Sequence, residues 1–149
     1  MQESPDRKKG LTASFPRSFW LANAMELFER GAYYGLNALL ARYLTDKIGG
    51  GLGFAEDDVG LLQSVVYAAT YVFPILGGAL ADRYGYRKML LVAFSMLSVG
   101  YFASGEVTSY GVIFATLLLM ATGSGLFKPI ISGTIARTTD EKTSSFGLG

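Results

Sequence analysis

Three charges crowd into five residues of an apolar stretch. Glu26, Glu29 and Arg30 lie within "MELFERGAYYGLNALL", Met25 to Leu40, and the next charges are Arg17 and Arg42. One guanidinium neutralises one carboxylate, so the trio is anionic with both acids ionised and neutral with one protonated. Two carboxylates this close oppose joint ionisation, and the pair favours holding one proton. The chemistry open to such a group is reversible proton binding linked to a nearby ion. A second cation, Lys128, stands in "GSGLFKPIISG" and is followed directly by Pro129. A buried ammonium needs an anion, and the spare carboxylate of the first segment is the candidate within this chain. A structural ion pair needs only one acid, so the extra glutamate points to titration.

On a helix, Glu26, Arg30 and Tyr33 fall at i, i+4 and i+7 and share a face, with Glu29 bordering it and Asn37 continuing it. Arg30 lies eleven residues past Phe19, where the apolar stretch begins. At 1.5 Å per residue that is roughly 16 Å deep, the middle of a hydrocarbon core about 30 Å thick. A charge there costs about 2.5–3.5 kcal/mol on insertion scales, so it is kept for a reason. Pro129 lacks an N–H and presses on the carbonyl of Gly125, which predicts a kink at Lys128. Gly123, Gly125 and Gly133 permit close helix approach.

The elements that must position these groups are read from composition. Of 149 residues, 50% are hydrophobic and 17% charged, against about a quarter charged in an average soluble domain. Four apolar segments predict an all-α membrane protein with spans at about 19–44, 59–81, 87–105 and 110–136. Residues 1–18 read as a cytoplasmic tail and not as a secretory signal, and residues 137–149 as a cytoplasmic link towards a fifth helix. Nine Lys and Arg, at 7, 8, 9, 17, 83, 87, 88, 137 and 142, lie at ends that share one side, against Arg42 and Lys47 on the other. The positive-inside rule makes the richer side cytoplasmic, in a plasma or inner membrane. In the first link, "GGGLGFAEDD", Glu56, Asp57 or Asp58 is placed to cap the second helix. A net charge of +1 suggests no nucleic-acid partner, and the lack of His and Cys removes imidazole and thiolate metal sites, disulfides and the usual triad base. No cofactor and no metal is expected, and no enzymatic nucleophile is found.

The link "GGALADRYGYRK" follows the ordered pattern G-x-L-A-D-R-x-G-x-R-K through Gly78, Leu80, Asp82, Arg83, Gly85, Arg87 and Lys88. It resembles the cytoplasmic loop motif of the major facilitator superfamily. "ELFERGAYY" resembles the E-x-x-E-R signature of the proton-coupled oligopeptide transporter family, and "GSGLFKP" is similar to that family's fourth-helix G-x-G-x-x-K-P. The resemblance implies a carrier of two six-helix bundles with substrate bound between them, of which this chain holds four N-terminal helices. It implies proton coupling at Glu26 and Glu29, attraction of a peptide carboxylate by Arg30 and Lys128, pocket-lining roles for Tyr33 and Tyr71, and a cytoplasmic gate at the 78–88 motif. The contact for the peptide's amino terminus then comes from the missing half. Gly31, where the family has an aromatic residue, and Asn37, where some members carry a base, depart from the pattern.

The leading reading is proton-coupled symport of di- or tripeptides, or of peptide-like anions, by alternating access. Its partners are protons, a small peptide, the lipid bilayer and the remaining carrier helices. Two alternatives use the same charges: a major facilitator carrier of another anion such as nitrate or an organic acid, and a four-helix membrane scaffold that transports nothing.

Overall fold

The computed structural model describes residues 15–138, and the tail cations Arg7, Lys8 and Lys9 and the link from 139 onward lie outside them. Every regular element among the described residues is an α-helix: α1 (Arg17–Thr45), α2 (Glu56–Tyr84), α3 (Tyr86–Glu106) and α4 (Tyr110–Thr138). Hydropathy marks only the apolar part of a helix, while the backbone ladder continues into polar flanks. The helices therefore run on slightly past the apolar segments, α2 from Glu56 through Asp82 to Tyr84. By length and apolar composition α2, α3 and α4 can each cross a membrane. At 29 residues α1 is as long as α2 and α4, but it carries Glu26, Glu29 and Arg30 near its middle.

One expectation about helix ends is corrected. None of Glu56, Asp57 and Asp58 caps α2: the N-cap is Ala55, with no side-chain cap bond, and the three acids occupy the first turn. There they oppose the positive end of the helix dipole instead of accepting its free N–H groups. Pro129, where a kink is expected, lies inside α4, which continues as one helix to Thr138. At the far end of α1, the Gly49 amide donates to Oδ1 of Asp46 at 2.8 Å. That bond holds the Asp46 carboxyl below the usual carboxylate range.

Gly85 alone separates α2 from α3. Its φ of 92° lies in the left-handed region, which a side chain resists, and its N–H donates to Ala81 O at 2.9 Å. The reversal is therefore immediate, and α2 and α3 run antiparallel.

The interior has two apolar ends with a polar layer between them. One cluster gathers Phe19 and Ala22 of α1, Ala81 of α2, Met89 and Ala93 of α3, and Phe127 to Ile135 of α4. The other gathers Leu40 and Leu44, Val59 and Leu62, and Ile113, Leu117 and Met120. Because α1 contributes to both, it runs alongside α4 for most of its length. Glu29, Thr70 and Ser124 are buried, and each lies in its own helix between the residues of the two clusters.

Helix α4 is the hub: it packs on α1, α2 and α3, and half of its most apolar stretch is buried. Without water between helices in lipid, close packing of small residues has to hold such a bundle. At Gly78 of the loop motif an added Cβ would meet only Pro129, at an ordinary 3.9 Å. The close approach is at Gly77, where a Cβ would lie 2.8 Å from Gly125 O and 3.0 Å from Leu126 Cα. Pro129 has no N–H to offer that carbonyl, so it is free to turn towards Gly77.

Gly77→Val is expected to push α2 off α4, destabilising the fold by about 1–3 kcal/mol. Gly31→Ala, at a site with nothing within 4 Å of the added methyl, should be neutral. Thermal unfolding in detergent distinguishes them; equal midpoints for the two variants would contradict this packing.

Candidate functional site

Glu29 is the centre of the polar layer. Its side chain is 1% exposed, against 42% for Glu26 and 30% for Arg30. The two glutamates are thus unequal: Glu29 is buried in the bundle, and Glu26 is partly exposed. Nε of Arg30 sits 3.3 Å from Oε2 of Glu29 and 4.0 Å from Oε1 of Glu26. At Oε2 this is a charge contact and not a hydrogen bond, since that oxygen has no aligned donor. Neighbouring residues on a helix diverge by about 100°, so the arginine reaches its neighbour's oxygen obliquely. The other oxygen, Oε1, accepts from Ser124 Oγ at 2.6 Å.

The triplet Gly123–Ser124–Gly125 explains how α4 delivers that hydroxyl. A Cβ on Gly123 would lie 3.0 Å from Ala93 O and 3.1 Å from Leu97 Cγ, both of α3. A Cβ on Gly125 would collide with Phe73 of α2. Three successive residues thus face α3, α1 and α2 in turn. The two glycines let α3 and α2 close in, and Ser124 is set against α1.

Lys128 is one turn beyond Ser124 and half-buried. The direct ion pair expected for it is not formed: among the described residues no carboxylate oxygen lies within 4.0 Å of its ammonium. Both oxygens of Glu29 are already engaged, one by Ser124 and one by Arg30. Lys128 remains within electrostatic reach of both Glu29 and Arg30. It is a cation close to an anion whose charge another residue holds.

Around this core stand the tyrosines. Tyr33 is half-buried, with Tyr67 and Tyr71 of α2 near it. Tyr71 is 79% exposed, on the open side of the four helices. Asn37 donates to Tyr33 O at 2.8 Å and accepts from Tyr67 OH at 3.1 Å, which ties α1 to α2. A cavity of about 30 Å³ is lined by Tyr33, Asn37, Thr70, Tyr101 and Ser124 together with apolar residues. It has room for one or two waters.

The 78–88 motif is a second site, at the opposite end of α2 from Glu56. Tyr86 OH donates to Asp82 Oδ1 at 3.0 Å, and the Arg137 guanidinium lies 4.4 Å from the centre of the Tyr86 ring. A Cβ on Gly133 would come within 2.7 Å of that ring. Asp82, through Tyr86, is therefore coupled to the end of α4. Arg83 lies over Tyr84 at 5.5 Å, and Arg87 and Lys88 are exposed. Ser124, Tyr67, Tyr86 and Tyr101 were not singled out from the sequence. For Ser124 a signal was present, since it sits between two glycines one turn before Lys128.

Long apolar helices packed around a buried carboxylate, with two cations in its field, make a helical arrangement suited to a membrane. The chain belongs to the Major Facilitator Superfamily, whose family profile matches residues 18–149. It is 31% identical over 80% of its length to an uncharacterized transporter, YclF, of Bacillus subtilis (strain 168). It is 34% identical over 76% of its length to dipeptide and tripeptide permease A of Edwardsiella piscicida, and 32% identical over 76% to that of Escherichia coli (strain K12). It spans about a quarter of these relatives: 25%, 23% and 22% of their lengths respectively. No solved structure matches it.

Arg30→Ala removes the ion-pair partner of Glu29, leaving Lys128 as a cation in its field but not in direct contact, and is expected to destabilise the fold by about 3 kcal/mol. Adding Glu29→Gln removes the stranded charge and should recover most of that loss. A double-mutant cycle on unfolding midpoints checks this; additive effects would mean that Arg30 does not stabilise Glu29.

Proposed function

We propose that this chain is part of a proton-coupled symporter of di- or tripeptides that works by alternating access. The observation that carries the reading is the buried Glu29: one oxygen is held by Ser124, and the other lacks a hydrogen bond beside Arg30. A buried carboxylate with an open acceptor is a place for a proton. A proton added at Oε2 neutralises Glu29. Arg30 and Lys128 then lose their anion and attract the carboxylate of a substrate, while Glu26 offers a second, more exposed acceptor. Tyr33 and the exposed Tyr71 line the substrate's path, and the remaining helices of the carrier close it and hold the peptide's amino terminus. The similarity to relatives named as dipeptide and tripeptide permeases supports a peptide as the solute.

The gate in this reading is the 78–88 motif. Gly85 gives the reversal, Gly78, Leu80, Arg83, Arg87 and Lys88 complete the loop, and Asp82 with Tyr86 joins it to α4. We place this motif, the tail and the segment after Arg137 on the cytoplasmic side of a plasma or inner membrane, following the distribution of Lys and Arg. All four helices then cross, α1 with its charges turned from lipid.

The test is uptake of a labelled dipeptide by the complete carrier in liposomes. An inward proton gradient should drive accumulation above equilibrium, and a protonophore should abolish it. Lys128→Ala should lower uptake about tenfold or more, because it removes a substrate contact near a buried anion. Uptake that ignores the proton gradient, or transport of nitrate or an organic acid in place of the peptide, would contradict the proposal.

A further inference from the structure

Hydroxyls within a helix commonly return to a backbone carbonyl three or four residues back. Thr116 and Thr122 of α4 do so, donating to Ile113 O and Leu118 O at 2.8 Å, and Thr70 of α2 donates to Val66 O at 2.9 Å. Ser124 turns the other way. Its hydroxyl crosses to Oε1 of Glu29, 95 positions distant in the chain, at 2.6 Å. Donor and acceptor are both buried, Ser124 at 2% and Glu29 at 5% exposure. An O–H donor bonds an ionised carboxylate more strongly than it bonds a neutral acid.

We propose that Ser124 is a positioning residue that sets how readily Glu29 takes up a proton. The inference rests on the reading of Glu29 as a proton acceptor and adds to it the group that tunes it. The donated hydroxyl stabilises the ionised carboxylate and keeps Oε2, the oxygen without a hydrogen bond, as the one open to a proton. When a hydronium ion gives a proton to Oε2, one O–H bond breaks on the donor, one forms on Glu29, and a water molecule is left. The Ser124 contact changes from charge-assisted to neutral and weakens, as does the attraction of Arg30. The link between α1 and α4 is therefore strongest when Glu29 is ionised and loosens when it is protonated.

The other charged and titratable groups around Glu29 are accounted for on each helix. Arg30 and Glu26 come from α1, Lys128 from α4 and Tyr101 from α3. From α2, Tyr67 reaches Asn37. Ser124 carries no charge, so replacing it changes the hydrogen bond and leaves the charges in place.

The experiment follows the infrared carbonyl band of protonated Glu29, identified by its loss in Glu29→Gln, as pH is varied in the complete carrier. Ser124→Ala removes the donor. Ser124→Cys fills the same space with a weak donor and keeps water out, so it also serves if the alanine variant fails to fold. Both should move the titration midpoint up by about one pH unit, and Ser124→Thr should leave it in place. The pH profile of dipeptide uptake should move by the same amount. An unmoved midpoint in the cysteine variant, or an equal shift in the threonine variant, overturns the assignment to Ser124. Absence of any titrating Glu29 band in the unmodified carrier overturns the proton-acceptor reading itself.

Discussion

The structure depends on one buried carboxylate. Glu29 cannot be left ionised in an apolar interior without partners, since an unpaired charge there costs several kcal/mol. Its partners come from both directions: Arg30 from its own helix, and Ser124 from α4. Because one of them is on another helix, α1 and α4 must stay aligned at this level. The apolar clusters above and below hold that alignment and shield the polar layer from water at both ends. The Arg30 contact is oblique and the Ser124 bond is neutral on the donor side. The carboxylate is held, but not so firmly that a proton cannot compete.

Helix α4 serves two needs that pull against each other. It must pack tightly enough to be the centre of the bundle, and it must present polar groups at its midpoint. Glycines at 123 and 125 supply the first by letting α3 and α2 approach, and Ser124 between them supplies the second. Pro129 extends the same logic, since the carbonyl of Gly125 that it frees lies against Gly77. At the far end of α2, the Asp82–Tyr86–Arg137 chain ties the short turn at Gly85 back to α4. The midpoint and the turn are thus both referred to one helix, and a change in how α4 sits is felt at each.

The four helices were legible because long apolar segments, broken by polar links, are a strong signal that needs no tertiary information. The charged trio was legible for the same reason, as an expensive departure from that pattern. What could not be read was direction. Spacing put Glu26, Arg30 and Tyr33 on one face and made Glu29 a border residue, whereas packing on α4 makes Glu29 the buried member and leaves Glu26 partly exposed. The pairing of Lys128 was drawn from its cost alone, and a charge count cannot show that a serine hydroxyl occupies the carboxylate first. Gly77 and Gly78 are adjacent and identical, so only the helix contact tells which one admits Pro129 and Gly125. The acids at 56–58 suited a cap by type, but the helix begins at Glu56 itself, which leaves Ala55 in the cap position.

In the proposed symporter Glu29 is the site of proton coupling, and its burial makes it so. The most direct measurement compares two modes of transport by the Glu29→Gln carrier in liposomes: accumulation driven by an inward proton gradient, and one-for-one exchange of labelled for unlabelled dipeptide. Exchange needs no net proton movement, so it should survive while driven accumulation is abolished. Glu26→Gln, at the exposed acceptor, should weaken accumulation less. If both variants still concentrate the dipeptide under the gradient, the charges are structural and the coupling lies elsewhere.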